Sequence, residues 1–145
     1  MIPCSMLRPF FFPLITLLLF WLSGCSKAIE TEQLAGYWRI EKVTQENETF
    51  YPALGNVQYD HYTLTTDNKG YRKKLSPSLG ESLNTSRDRS DFTLASDKNG
   101  WQLHFETPWA TWEERIVRLD SLELILEHNS KRYFYKRQYP TDEQP

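Results

Sequence analysis

Few side chains of this sequence have the type and spacing that chemistry requires. The histidines His61, His104 and His128 include no His-x-His pair, and the alternation around His104 predicts that its ring faces outward. No Gly-x-Ser-x-Gly motif supplies a nucleophile, and the carboxylates are scattered along the chain. We therefore predict no metal site, no cofactor and no enzymatic activity.

One cysteine, Cys25, stands where a thiol could be modified. It closely follows an uncharged apolar run over residues 9–21, which itself comes directly after Arg8. A transmembrane helix needs about 20 apolar residues, so this shorter run is typical of a secretory signal peptide. The segment 1–24 is therefore predicted to be removed.

The residues Leu22-Ser23-Gly24-Cys25 resemble the lipobox of bacterial lipoproteins. The resemblance implies that the Cys25 thiol is diacylated, that the chain is cut just before it, and that the new amine is acylated too. Several acyl chains hold a protein stably on a lipid bilayer. Ser26 in place of aspartate implies an outer-membrane anchor in the cell envelope, with the periplasmic side favoured over the cell exterior. A free cysteine after a simple signal peptide is the alternative.

The rest of the chain is predicted to form a lipidated tether (25–33), one domain (34–139) and a disordered tail (140–145). With Cys4 removed and Cys25 lipidated, no thiol is left for a disulfide, so the core must hold the domain together. The whole chain has a net charge of −2 with both signs interspersed. This pattern is typical of a solvated surface and argues against nucleic-acid binding.

Alternating apolar and polar residues predict that the domain is all-β, with eight short antiparallel strands after one helical turn. The predicted strands cover residues 36–43, 57–65, 71–75, 91–95, 101–106, 112–119, 122–127 and 132–137. In the second strand, the apolar residues stand at odd-numbered positions up to Tyr59 and at even-numbered positions from Tyr62 onward. This change predicts a β-bulge near Asp60-His61.

Short and long links alternate along these strands. The long ones cover about residues 44–56, 76–90 and 107–111, and tight turns such as Asp97–Gly100 separate them. Successive links of an up-and-down sheet lie at opposite ends, so the tight turns share one end and the long loops the other. Closing the sheet removes both of its edges, which predicts an eight-stranded barrel with an open mouth.

Gly36-x-Trp38, after a helical turn and at the start of the first strand, resembles the lipocalin signature. The resemblance implies a lipocalin-like barrel in which Trp38 plugs the closed end and Arg137 stacks on it, with Lys136 as a second candidate. The chain is shorter than most lipocalins and has neither the Thr-Asp-Tyr turn motif nor a disulfide. It looks most like the compact lipocalin-like lipoproteins of bacteria.

The open end is the predicted binding site. The loop with Phe50 and Tyr51 is interpreted either as a lid over a ligand or as a flap on the barrel's own rim. Glu114 and Arg132 could form a polar end point for a ligand, or solvent-facing salt bridges. Side chains predicted to face inward near the mouth are Tyr59, Phe92, Phe105, Trp112, Leu126 and Tyr133.

Two functions fit these features. The first is a membrane-anchored lipocalin-like lipoprotein that binds a small apolar or amphiphilic ligand in its mouth. The second is a plugged barrel whose long loops bind a protein of the cell envelope or inhibit an enzyme. A cavity of several hundred Å³ favours a ligand, whereas a filled interior favours a protein partner.

Overall fold

A computed structural model describes residues 29–53, 57–66, 68–77 and 83–139, with the backbone alone at 77 and 83–88. The predicted signal peptide, residues 25–28 of the tether (which include Cys25) and the tail lie outside these residues. In the described part of the chain, no helix is long and apolar enough to cross a membrane.

The described residues form one short helix and nine strand segments. A 3₁₀ helix, Thr31–Leu34, comes first. The strands that follow are β1 (Gly36–Gln45), β2 (Glu48–Phe50), β3 (Tyr59–Leu64), β4 (Lys69–Pro77), β5 (Leu83–Asp97), β6 (Gly100–Glu106), β7 (Thr111–Leu119), β8 (Glu123–His128) and β9 (Lys131–Gln138).

The sheet closes on itself. Each strand from β3 to β9 pairs antiparallel with the next, β1 pairs with β3, and β9 returns to β1 so that Trp38 lies opposite Arg137. Among the described residues, the short β2 pairs only with the end of β1, and the two form a hairpin beyond the ring. The predicted fold class is confirmed: this is a closed eight-stranded antiparallel up-and-down barrel after a short helical turn.

The two ends of the barrel differ. The turns after β3, β5 and β7 lie where β1 begins, and we call this the closed end. The β1–β2 hairpin and the links after β6 and β8 lie at the opposite end, which we call the mouth. The long loop predicted over residues 76–90 is wrong, because β4 runs to Pro77 and β5 begins at Leu83.

The bulge predicted near Asp60-His61 is also wrong. β3 pairs with β4 residue for residue from Tyr59 to Leu64. Asp60 and Tyr62 are the buried residues of this strand, whereas Tyr59 is only half-buried. The apparent change of parity arises because a charged residue, Asp60, occupies an inward position that the pattern expects to be apolar.

A bulge does occur in β7. The pairing of β7 with β8 shifts between Ile116 and Arg118. Both Ile116 and Leu119 can therefore face inward, although they are three residues apart. This explains why the inward-facing apolar residues of β7 stand at both even- and odd-numbered positions.

The core draws its residues from the 3₁₀ helix and from most strands of the ring. Gly70 is buried there against Phe92, and a Cβ atom at Gly70 would lie 2.6 Å from Phe92 Cζ, so only glycine leaves room for the ring. The buried residues of the core cluster are Leu34, Trp38, Tyr62, Phe92, Leu94, Leu103, Phe105, Ile116, Leu119, Leu124, Leu126 and Tyr135.

Candidate functional site

The closed end is sealed by Trp38. Its side chain is fully buried, and its indole Nε1–H donates a hydrogen bond to the Leu34 carbonyl oxygen at 2.8 Å. The Cζ atom of Arg137 lies 4.1 Å from the centroid of the Trp38 ring. Such a cation over an indole stabilises a fold by about 0.5–2 kcal/mol. Gly36 has a φ of 122°, and a Cβ there would lie 2.7 Å from Arg137 Nη1.

Arg137 also binds the backbone of two segments at the closed end. Its guanidinium donates hydrogen bonds to carbonyl oxygens of the helical turn and of the β7–β8 turn, namely those of Gln33, Ala35 (2.7 Å) and Ser121 (2.8 Å). These contacts fasten the helical turn and the β7–β8 turn to the closed end of the barrel.

A cluster of charged side chains lies inside the barrel, between Trp38 and the mouth. Arg72 Nη1 lies 3.0 and 3.1 Å from the two carboxylate oxygens of Glu114 and 3.9 Å from Asp60 Oδ2. Lys74 Nζ lies 3.0 Å from Asp60 Oδ1. Asp60, Arg72 and Glu114 are buried, whereas 61% of the Lys74 side chain is exposed. We call these four residues the charge cluster; its two positive and two negative charges cancel.

Three neutral donors and acceptors complete the cluster. Tyr135 donates its hydroxyl proton to Asp60 at 3.1 Å, and the Trp112 indole donates to Glu114 at 2.8 Å. The hydroxyl oxygen of Tyr62 accepts from Arg72 at 3.3 Å. Burial raises the pKa of both Tyr62 and Tyr135 above the ordinary tyrosine value, so these hydroxyls stay protonated.

Arg72 is also held by aromatic rings. Its Cζ atom lies 4.3 Å from the centroid of the Phe105 ring, which stacks in turn on Trp112 at 4.8 Å. Burial alone would lower the pKa of Arg72, but Tyr62, Glu114 and Asp60 outweigh it and hold that pKa above its ordinary value. The guanidinium therefore remains charged inside the barrel.

An apolar depression of about 260 Å³ opens at the mouth. Its lining comes from β1, the β1–β2 hairpin and the segment after it: Ile40, Val43, Phe50, Tyr51, Pro52, Ala53 and Gln58. Phe50 pairs with Val43, which also pairs with Tyr133 of β9. Paired residues share one face of a sheet, so the hairpin extends the inner wall beyond the rim.

Residues that line the depression pair with residues next to the charge cluster. Ile40, in its lining, pairs with Tyr135, whose hydroxyl is bonded to Asp60. Val43, also in its lining, pairs with Tyr133, whose pKa is raised by burial and by the nearby Glu114. The lining itself contains no member of the charge cluster, but a molecule that extends inward from the depression would approach its polar groups.

A larger groove, of about 1550 Å³, runs over the outer face of β4–β8. Most of its side chains alternate with those of the core, and they pair with one another. Arg115 lies 2.7 Å from Glu127, and His104 lies 2.9 Å from Glu113. In the described residues, no group of three His, Cys, Asp or Glu side chains is placed to hold a metal ion.

Six of the seven predicted ligand-binding residues fall into three groups. Phe50 and Tyr51 line the depression, while Trp112 and Tyr133 are half-buried beside the charge cluster. Phe92 and Phe105 are buried in the core. The inward orientation predicted for Tyr59 is wrong, because Asp60 takes the inward position on β3.

Glu114 and Arg132, which were considered as a joint polar end point for a ligand, lie on opposite faces of the barrel wall. Glu114 faces inward, as one prediction had it, but its partner is Arg72. Arg132 lies outside the barrel, with its Nε 2.8 Å from Glu127.

Sequence reasoning missed Asp60 and Arg72. The tight turn after β3 contained the necessary signal, because hairpin pairing across it places Tyr62 opposite Arg72. Tyr62 and Leu64 were expected on one face of β3, and Asp60, two residues before Tyr62, belongs to that same face. This alternation would have placed Asp60 inside as well.

The solved structures that are similar to this chain include two proteins. One is a lipocalin-like protein from Bacteroides uniformis, with 10% sequence identity and a TM-score of 0.47; the match covers 73% of this chain and 99% of that one. The other is the siderocalin Ex-FABP, which is described as functioning through dual ligand specificities. Its sequence identity is 11% and its TM-score is 0.47, and the match covers 73% of this chain and 74% of that one. No family model and no curated protein matches the sequence.

Proposed function

We propose that the mouth of the barrel binds one small, largely apolar molecule. The observation that carries this proposal is the depression of about 260 Å³ with its apolar lining at the mouth. Ligand sites are concave and mostly apolar, with a few polar groups that fix the orientation, and they typically measure about 300–1,000 Å³. The depression lies just below this range, so the expected ligand is smaller than a typical lipid.

Exchanging Phe50 and Tyr51 for serine will lower the occupancy of the mouth. Both rings line the depression, and the loss of their apolar contact will weaken binding by about tenfold, which corresponds to about 1.4 kcal/mol. Native mass spectrometry of the full chain, purified from bacterial membranes in a mild detergent, will measure the fraction that carries a small molecule.

The matched control is Leu122→Ser. Leu122 is 63% exposed and lies at the closed end, so its loss should leave the occupancy unchanged. A wild-type chain that carries no small molecule, or equal occupancy in all three proteins, would contradict the proposal.

We also propose that acyl chains on Cys25 anchor the protein to the outer membrane, on the periplasmic side. The lipobox-like residues before Cys25 support this proposal. The chain enters the barrel at the closed end, where Ile29 packs against the core. Residues 25–28 span at most about 14 Å, so the anchored barrel would lie against the bilayer with its mouth turned away.

Replacing Cys25 with serine will abolish incorporation of radioactive palmitate and release the protein from the membrane fraction. The matched control is Cys4→Ser, which removes the other cysteine and should leave labelling intact. Labelling that survives in the Cys25 variant, or that is lost in the Cys4 variant, would overturn the anchor assignment.

A further inference from the structure

The hydrogen bonds of Arg72 all come from one of its three side-chain nitrogens. Nη1 contacts both oxygens of Glu114 and the hydroxyl of Tyr62. Nε and Nη2, which carry three further N–H groups, have no hydrogen-bond partner among the described residues. Only 9% of the Arg72 side chain is exposed, so these donors sit in an almost closed environment.

These free donors are nevertheless reachable. In the described part of the chain, no buried side-chain nitrogen or oxygen is both sealed from solvent and unpartnered, so Nε and Nη2 keep some accessible surface. Trp38 and Leu34 are fully buried below them at the closed end. The exposed member of the charge cluster, Lys74, lies towards the mouth. Access to the guanidinium is therefore from the mouth.

The charges around Arg72 decide which acceptor fits. Glu114 lies in direct contact with Arg72, and Asp60 lies between Arg72 and Lys74. The cluster is already neutral, so an added carboxylate or phosphate would be buried beside two like charges without a cation of its own. An uncharged acceptor oxygen would accept hydrogen bonds from Arg72 at no such cost.

Resting on the proposed function, we infer that the mouth selects uncharged apolar molecules that carry an acceptor oxygen, such as a ketone, ester or amide carbonyl. The apolar part packs between Ile40, Val43 and Phe50, and the carbonyl oxygen accepts from Arg72 Nε or Nη2. Hydrogen bonds to a charged donor contribute about 1.5–3 kcal/mol, so the carbonyl strengthens binding about tenfold or more.

Three probes of nearly equal size test this inference on the full chain in lipid nanodiscs: acetophenone, ethylbenzene and benzoate. The Trp112 indole N–H resonance, which reports on Glu114, follows each titration by NMR, with the free probe measured in the aqueous phase. Acetophenone should bind about tenfold more tightly than ethylbenzene. Benzoate should bind more weakly than either of them.

The double variant Arg72→Met with Glu114→Met removes the donors together with their carboxylate partner. In this variant, the preference for acetophenone over ethylbenzene should fall from about tenfold to about onefold. Equal binding of the ketone and the hydrocarbon by the wild type, or tightest binding of benzoate, would overturn the inference while leaving the mouth a ligand site. If none of the three probes binds, the proposed site itself is wrong.

Discussion

Replacing Trp38 with alanine will lower the free energy of unfolding by about 3–5 kcal/mol. Trp38 is the largest fully buried side chain of the described core, and Trp→Ala changes in such positions cost this much. The variant also loses the hydrogen bond to Leu34 and the ring beneath Arg137. Since domains of this size are stable by about 5–15 kcal/mol, the variant will be close to unfolding.

Urea denaturation followed by circular dichroism measures this change, and Trp109→Ala provides the matched control. Trp109 is 91% exposed in the β6–β7 link, so its removal should change the free energy of unfolding by at most about 0.5 kcal/mol. Similar losses in both variants would show that Trp38 does not close the barrel in the way described.

Replacing Arg72 alone with methionine will cost about 3–5 kcal/mol of stability, because Glu114 is left buried without its cation. Replacing Glu114 alone with methionine will cost a similar amount. Exchanging both for methionine will cost far less than the sum, since buried ion pairs can often be replaced by apolar residues at little or no cost. The four proteins form a double-mutant cycle with a coupling energy of several kcal/mol.

The exposed pair Arg132 and Glu127 is the control for this cycle. Their side chains are 53% and 27% exposed, and ion pairs at such surfaces contribute about 0–1 kcal/mol. The same double exchange to methionine there should give a coupling energy within this range. Additive effects of the two single changes at Arg72 and Glu114 would contradict the geometry of the charge cluster.

Much of the fold could be predicted from the sequence because a strand pattern has a period of two. Residues 101–106 alternate cleanly, and β6 lies where this alternation predicts it. The tight turns Asp97–Gly100 and Asp120-Ser121 fixed which strands pair and at which end. Local chemistry was sufficient here, since such short turns leave few choices of pairing.

The ion pairs and hydrogen bonds of the charge cluster could not be predicted by the same rule. The alternation rule treats a charged residue as outward, and Asp60 and Arg72 both break it by facing inward. Each is tolerated inside only because the other strands supply partners: Glu114 from β7 and Tyr135 from β9. Such partners are far apart in the sequence, so the alternation within one strand can place a charge inside but does not identify the groups that pair with it.

The fold brings both ends of the described chain to one pole of the barrel. Tyr37 pairs with Gln138, and Arg137 clasps the carbonyl oxygens of Gln33 and Ala35. A fluorescent fusion partner or a biotin handle attached before residue 29 or after residue 139 will therefore emerge at the closed end. Immobilised on a sensor chip by either terminus, the barrel will present the same unobstructed mouth to the flowing solution.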